Sequence, residues 1–228
     1  MIITKLAYQN IKNKNLFKIL EKKKVIIVNN CFTKNKMLKA RKEIKDFFEK
    51  KKFRFKELKN KKKLFHRWDY NPKKARFKRI MCSATFSIKD KKYFQNSIEI
   101  LKKGIALKKI YMQKFLKEIK VKKKSKFIFD PRASYYPSGG GYYQMHSDYF
   151  SGEKILDIIP LSEKGSDFLK GGFVIEYKKK KINLEQYVSP GSIILLHTKI
   201  KHGVSKIDPH MKLKKKIIGR YSLLSVMK

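Results

Sequence analysis

Residues 136–148 read YPSGGGYYQMHSD, a tyrosine–proline pair and a glycine-rich turn that lead into a His-x-Asp sequence. If His146 and Asp148 lie on one strand, their two-residue spacing points both side chains to the same face. The three glycines favour turn conformations over phosphate contacts, because no helix N-terminus follows them. The stretch therefore predicts a turn and then a strand that carries two candidate metal ligands.

A second histidine and an arginine downstream complete a chemical pattern. Two imidazoles and one carboxylate are the ligand set that holds ferrous iron on one face and leaves three positions open. A distant strand would supply His202 as the third ligand. Arg220 lies in an otherwise apolar terminal strand, where a planar guanidinium can bind a dicarboxylate co-substrate. Ser222 shares that face, so its hydroxyl could assist.

Three other histidines are less suited to a metal site. His197 lies on the apolar run before His202 and is a rival ligand. His66 and His210 lie in basic, loop-like contexts and are expected to be exposed to solvent. Residues 66–70, HRWDY, could line a substrate cleft or bind a partner, but an ordinary structured loop is the favoured interpretation.

The pattern of apolar residues predicts an α+β fold dominated by β-strands. From residue 126 onward, short apolar runs alternate with turn signals, which is typical of a double-sheet jelly roll. Before it we expect a strand over 24–28 and amphipathic helices over 36–51 and 98–119, packed on one sheet. We therefore predict a single domain, 1–228, with a helical support region (1–125) and a jelly-roll core with the metal site (126–228).

The charge is extreme, with a formal net value of +41 that comes mostly from lysine. Such a field attracts anions and makes their binding strongly dependent on salt. An A/T-rich host genome would favour the same lysine, asparagine and isoleucine codons, so the origin of the charge stays open. Specific binding of nucleic acid is not supported, because no arginine-rich or aromatic-interleaved motif stands out from the lysine background.

The cysteines and the hydropathy indicate a location. Cys31 and Cys82 are far apart and in no metal-like spacing, so a disulfide framework is not expected. Lysines interrupt the apolar stretches of the N-terminus, and no window reaches the roughly 18 apolar residues of a membrane helix. A cytoplasmic protein without a membrane span is the expectation.

The C-terminal half resembles the iron(II)- and 2-oxoglutarate-dependent oxygenases, particularly those of the prolyl-hydroxylase type. Five elements occur in the order typical of that family over about 85 residues. They are the turn into His146-x-Asp148, the Gly171-Gly172 turn, the strand led by Pro190-Gly191, His202-Gly203-Val204, and Arg220-x-Ser222.

This resemblance implies a double-stranded β-helix in which His146, Asp148 and His202 hold Fe(II). It favours His202 over His197, because the Gly-Val that follows fits the family. It also implies that 2-oxoglutarate and dioxygen are co-substrates. Arg220 and Ser222 would bind the distal carboxylate of 2-oxoglutarate, and the phenol of Tyr136 would reach the same pocket.

The implied activity is hydroxylation of a small molecule with decarboxylation of 2-oxoglutarate to succinate, and the positive field favours an anionic substrate. One alternative is an oxygenase that acts on a macromolecule, either a protein side chain or an alkylated nucleic acid. Another is a non-catalytic jelly-roll module that binds polyanions. The sequence predicts neither the substrate nor the oligomeric state.

Overall fold

The structure is a computed structural model that describes residues 2–50, 65–69, 79–86, 91–118, 128–148, 153–212 and 218–227. These residues form three α-helices, twelve β-strands and two 3₁₀ turns. The helices are α1 (Leu16–Lys23), α2 (Lys34–Lys50) and α3 (Lys91–Glu118), and the 3₁₀ turns are Tyr8–Asn13 and Leu184–Gln186. The strands are β1 (Ile3–Ala7), β2 (Val25–Asn29), β3 (Phe65–Asp69), β4 (Arg79–Thr85), β5 (Phe129–Pro137), β6 (Gly141–His146), β7 (Ile155–Pro160), β8 (Gly172–Tyr177), β9 (Lys180–Asn183), β10 (Ile193–His197), β11 (His202–Ile207) and β12 (Gly219–Met227).

The strands form a curled sheet with two facing parts. The first part, sheet A, has the order β1-β2-β10-β7-β12-β5-β4 with β3 beside β4, and sheet B continues as β4-β6-β11-β8-β9. From β5 onward the chain alternates between the two sheets, except for the β8–β9 hairpin. Strands β1 and β2 are parallel, and every other pair among the described strands is antiparallel. This is the jelly roll that the sequence predicted.

The helices cover the outer face of sheet A, as predicted. Helix α3 packs on β5, β7 and β12, α1 packs on β1, β2 and β10, and α2 packs on α3. Strand β10 is consequently buried on both faces. Ile193 and Leu195 join the core under the helices, and Ile194 and Leu196 join the core between the sheets. Since both of its faces are covered, β10 is a continuous apolar run rather than an alternating one.

The N-terminal half supplies more strands than its sequence pattern predicted. Only β2 was expected, yet β1, β3 and β4 also join the sheet, and β4 bridges sheets A and B. Residues 66–69 lie on β3, so the prediction of a loop there was wrong, and Tyr70 lies outside the described residues. The side chain of His66 is also outside the described part.

Helix α3 is longer than predicted, and one of its large apolar side chains is exposed. Ile110, within the predicted amphipathic helix over 98–119, is 43% exposed. It lies nine residues after buried Leu101, which at 3.6 residues per turn places it on the opposite side of the helix. None of the described helices is long and apolar enough to cross a membrane.

A buried lysine joins α3 to sheet A. The ammonium of Lys108 is fully buried and donates hydrogen bonds to Glu153, to Asp157 (3.1 Å) and to the carbonyl of Ser225. Asp157 also accepts hydrogen bonds from the backbone N–H and the hydroxyl of Ser225. Gly104, one turn earlier, leaves the space for this contact, because a Cβ there would lie 2.7 Å from Asp157 Oδ2.

Replacement of this lysine is expected to destabilise the fold strongly. Lys108→Met leaves two carboxylates buried without their cation, and breaking a buried ion pair in this way costs about 3–5 kcal/mol. The neighbouring Lys109 is exposed, so Lys109→Met is the matched control and should change the free energy of unfolding by less than about 0.5 kcal/mol. Urea unfolding of both variants measures the difference, and equal values would contradict the role of Lys108.

Candidate metal and co-substrate site

His146 and His202 face each other across two paired strands. His146 ends β6, His202 begins β11, and the two residues are direct partners in the register of these strands. Their ring centroids are 4.4 Å apart. The strands approach closely here, because a Cβ at Gly203 would lie 2.6 Å from the carbonyl oxygen of Tyr143. Glycine after the second histidine therefore permits the pairing that brings the two imidazoles together.

Asp148 completes the cluster from just beyond the end of β6. Its Oδ1 lies 3.6 Å from His146 Nε2 and its Oδ2 lies 3.3 Å from His202 Nε2. Ser147 turns the other way and donates a hydrogen bond of 2.8 Å to the carbonyl of Thr198. The expected alternation therefore holds although the strand ends at His146. The three candidate ligand atoms all lie within 4.8 Å of one another.

Hydrogen bonds fix which ring nitrogen of each histidine faces the cluster. His146 Nδ1 lies 2.9 Å from the carbonyl of Gln144, and His202 Nδ1 lies 3.0 Å from the carbonyl of Ile200. A carbonyl only accepts, so each Nδ1 carries the proton and each Nε2 is left for a metal. Metal-binding histidines are commonly oriented by such a bond from the second nitrogen.

The electrostatics favour the protonation states that a cation requires. Burial, together with the charge of His202, lowers the pKa of His146. Burial alone would raise the pKa of Asp148, but the hydrogen bond and charge of His202 and the charge of His146 outweigh it, so this pKa is lowered. A neutral imidazole and an ionised carboxylate are the forms that bind a metal ion.

The buried histidines also predict how stability depends on pH in the metal-free protein. Burial lowers the pKa of His146 and of His197 below the ordinary value of 6.5. Just below that value the unfolded chain holds more protons than the folded chain, so the free energy of unfolding rises with pH until about 6.5. Urea unfolding from about pH 5 to about pH 8 measures this slope. Replacing both histidines with glutamine should flatten it, and an unchanged slope would contradict the assignment.

Arg220 lies on β12 directly opposite Tyr136 on β5 and is 1% exposed. Its Nε donates to Glu185 Oε1 at 2.5 Å, and its Nη1 donates to the hydroxyl of Ser222 at 3.2 Å. The guanidinium carbon lies 5.9 Å from the ring centroids of both Tyr136 and Phe173. Among the residues that the structure describes, no acceptor is bonded to the buried Nη2.

This unsatisfied nitrogen is the feature that fits a carboxylate ligand. A buried donor without an acceptor costs about 1–3 kcal/mol, and more when it is charged. A carboxylate that enters the site would accept from Nη2 and form a charge-assisted bond. The hydrogen-bond donors of Arg220 and the His146–Asp148–His202 cluster therefore fit a metal-bound dicarboxylate.

A cavity of about 300 Å³ joins these parts. The three candidate ligands, Arg220, Ser222 and Tyr136 all contribute to its wall. Burial raises the pKa of Tyr136 to about 12, although the positive charge of Arg220 acts to lower it. The phenol is therefore protonated at neutral pH and can donate a hydrogen bond into the cavity.

The structure separates the rival histidines from the cluster. His197 Nε2 lies 3.1 Å from Glu21, which also accepts from the Tyr111 hydroxyl, and His197 Nδ1 accepts from the backbone N–H of Lys199. Both nitrogens of His197 are thus used in structural bonds. His210 is exposed, as predicted.

Two residues of the site, one behind Arg220 and one in the cavity wall, were missed by sequence reasoning. Glu185 is buried and holds Arg220, but a lone glutamate in a 3₁₀ turn gives no signal of this. Arg132 faces the cavity from β5. The sequence did contain a signal for Arg132, because Arg132, Ser134 and Tyr136 are spaced two residues apart and therefore share one face of a strand.

Comparisons with known proteins give a clear result for structure and none for sequence. No family model matches the chain, and no curated protein matches it. A solved prolyl-4-hydroxylase of Pseudomonas putida superposes with a TM-score of 0.59 at 12% identity, covering 93% of this chain and 96% of that chain. The chain adopts the fold of the prolyl hydroxylases.

A second prolyl hydroxylase, from Trichoplax adhaerens, gives a TM-score of 0.58 at 13% identity, covering 96% of this chain and 91% of that chain. That structure contains a peptide fragment of the hypoxia inducible factor oxygen degradation domain. Because both matches span nearly the whole chain, the prolyl-hydroxylase fold includes the N-terminal half as well as the jelly roll. The resemblance predicted from the sequence motifs is confirmed at the level of the fold.

Proposed function

We propose that the protein is an iron(II)- and 2-oxoglutarate-dependent dioxygenase that hydroxylates a small molecule and converts 2-oxoglutarate to succinate. One observation carries this proposal. His146, Asp148 and His202 converge in the same cavity as a buried arginine whose Nη2 has no acceptor among the described residues. The prolyl-hydroxylase fold supports it.

The side chains have distinct roles in this proposal. His146, Asp148 and His202 would hold Fe(II), and such a ligand set would leave room at the metal for the co-substrate and dioxygen. Arg220 binds the distal carboxylate of 2-oxoglutarate, assisted by Ser222. When bound, the iron and 2-oxoglutarate supply the oxidising chemistry, and the protein orients the reactants and limits water.

Two further residues support the co-substrate end of the site. Glu185 accepts from Arg220 Nε and from the backbone N–H of Phe173, so it fixes the direction of the guanidinium. The bond to Nε leaves Nη2 directed at the ligand. Tyr136, opposite Arg220, offers its phenolic proton to the same carboxylate.

Succinate formation tests the proposal most simply. Purified protein with Fe(II), 2-oxoglutarate and air should release succinate even without a substrate, and the reaction should stop when iron is withheld. Calorimetric titration of the Mn(II)-loaded protein with 2-oxoglutarate gives an independent readout. If the protein neither forms succinate nor binds 2-oxoglutarate, that result would support the non-catalytic alternative, a jelly-roll module that binds polyanions.

The size of the cavity favours a small substrate. Ligand pockets in proteins run from about 300 to about 1,000 Å³, so a cavity of about 300 Å³ that also takes a co-substrate leaves limited room. A macromolecular substrate is the alternative, and the peptide in the Trichoplax structure favours it. Stimulation of succinate formation by proline-containing peptides, but not by molecules of amino-acid size, would select that alternative. The cytoplasmic location stays a prediction.

A further inference from the structure

The use of arginine in this chain is uneven. The sequence has seven arginines against 52 lysines. The side chains of four arginines are described, and three of them, Arg79, Arg132 and Arg220, line the cavity. No lysine is among the described residues of its wall. A codon bias toward lysine does not explain this placement, whereas a need for planar, two-pronged binding of an anion does.

Arg132 lies toward the opposite end of the cavity from Arg220. It shares the inner face of β5 with Ser134 and Tyr136, and its strand partners are Thr85 on β4 and Leu224 on β12. Tyr136, the partner of Arg220, is four positions further along the strand, which corresponds to about 13 Å. A five-carbon chain spans roughly 5 Å. A 2-oxoglutarate molecule anchored on Arg220 therefore leaves the Arg132 end to another ligand.

The guanidinium of Arg132 has no bonded partner within the described part of the chain. There it makes no hydrogen bond or ion pair, although its charge acts on Asp148 and on Tyr136. The other carboxylate in the wall, Glu153, is held by Lys108. By contrast, Arg79 donates to the hydroxyl of Tyr143 at 3.3 Å and lies over its ring.

We propose that Arg132 binds a carboxylate of the substrate, so that the substrate class is small carboxylic acids. This inference rests on the proposed oxygenase function. A single guanidinium matches the two oxygens of a carboxylate bidentately. A phosphate dianion would call for further cations or backbone donors, and Arg79 is already bonded to Tyr143.

The test compares a carboxylate with its neutral analogue near the metal. The protein is loaded with Mn(II), saturated with 2-oxoglutarate at about 0.15 M salt to screen the surface charge, and titrated with hexanoate or hexanamide. Broadening of the probe's proton resonances by Mn(II) reports binding beside the metal. Hexanoate should bind at least ten times more tightly than hexanamide.

Variants then assign the preference to one residue. Arg132→Gln should remove it and leave the affinity for 2-oxoglutarate unchanged, and Arg132→Lys should keep part of it. Lys180→Gln, which removes one exposed charge on β9, is the matched control and should change nothing.

Three results would overturn the inference. They are equal binding of the two probes to the wild type, retention of the preference in Arg132→Gln, and a matching loss of 2-oxoglutarate affinity in that variant, which would assign Arg132 to the co-substrate. If the wild type fails to bind 2-oxoglutarate at all, the proposed function itself fails. Binding of 2-oxoglutarate without a hexanoate preference rejects only the assignment of the substrate.

Discussion

Asp148→Ala is expected to lower the affinity for Fe(II) by more than about 100-fold and to abolish succinate formation. Among the residues described, Asp148 supplies the only carboxylate of the cluster, and His146 and His202 are the other candidate ligands. Loss of groups that merely orient a ligand costs about 10–100-fold in metal affinity or activity, so loss of a ligand itself should cost more. Calorimetric titration with Fe(II) under anaerobic conditions measures the change.

Controls for this result are available within the chain. Asp46→Ala removes a carboxylate that pairs with Lys42 on the surface of α2, and it should bind iron like the wild type. His197→Gln removes the rival histidine and should also retain iron, whereas His202→Ala should not. Iron affinity that survives in Asp148→Ala, or is lost in His197→Gln, would reject the proposed ligand set.

Arg220→Gln is expected to weaken 2-oxoglutarate binding by about 30- to 4,000-fold. Truncating one partner of a buried, hydrogen-bonded charge pair costs about 2–5 kcal/mol, and each 1.4 kcal/mol corresponds to a factor of ten. The affinity for the metal alone should be unchanged, because the guanidinium contacts none of the three candidate ligands. Titration of the Mn(II)-loaded variant with 2-oxoglutarate gives the value.

The same substitution leaves Glu185 buried without its partner, so a loss of stability must be separated from a loss of binding. The double variant Arg220→Gln/Glu185→Gln removes both charges and should recover much of the free energy of unfolding. It should not recover 2-oxoglutarate affinity. Binding of wild-type strength in either variant would exclude Arg220 as the anchor.

The parts of the site that sequence predicted are those carried by short, ordered motifs. His146 and Asp148 are two residues apart, so the alternation of side chains along an extended chain directs them to one place. His202 is 56 residues away from His146, and its pairing with that residue came from the resemblance to a known family rather than from local pattern. The positive φ values of Gly139 and Gly140 confirm that these glycines serve the turn into β6.

The parts that sequence missed depend on contacts between distant segments. Lys108 looks like one more solvated lysine among 52, and its burial is defined by carboxylates 45 and 49 residues further along the chain. Glu185 meets Arg220 across 35 residues. Strand β4 enters between β5 and β6 although the N-terminal half showed helical periodicity. Local sequence patterns do not encode such pairings, because the partner that stabilises each buried residue lies tens of residues away in the sequence.

A crystal structure of the protein with Mn(II) and 2-oxoglutarate tests the central claim most directly. We predict one Mn(II) bound by His146 Nε2, His202 Nε2 and an Asp148 carboxylate oxygen, with the distal carboxylate of 2-oxoglutarate on Arg220 Nη2. A metal bound elsewhere, or a 2-oxoglutarate molecule whose distal carboxylate does not touch Arg220, would contradict it.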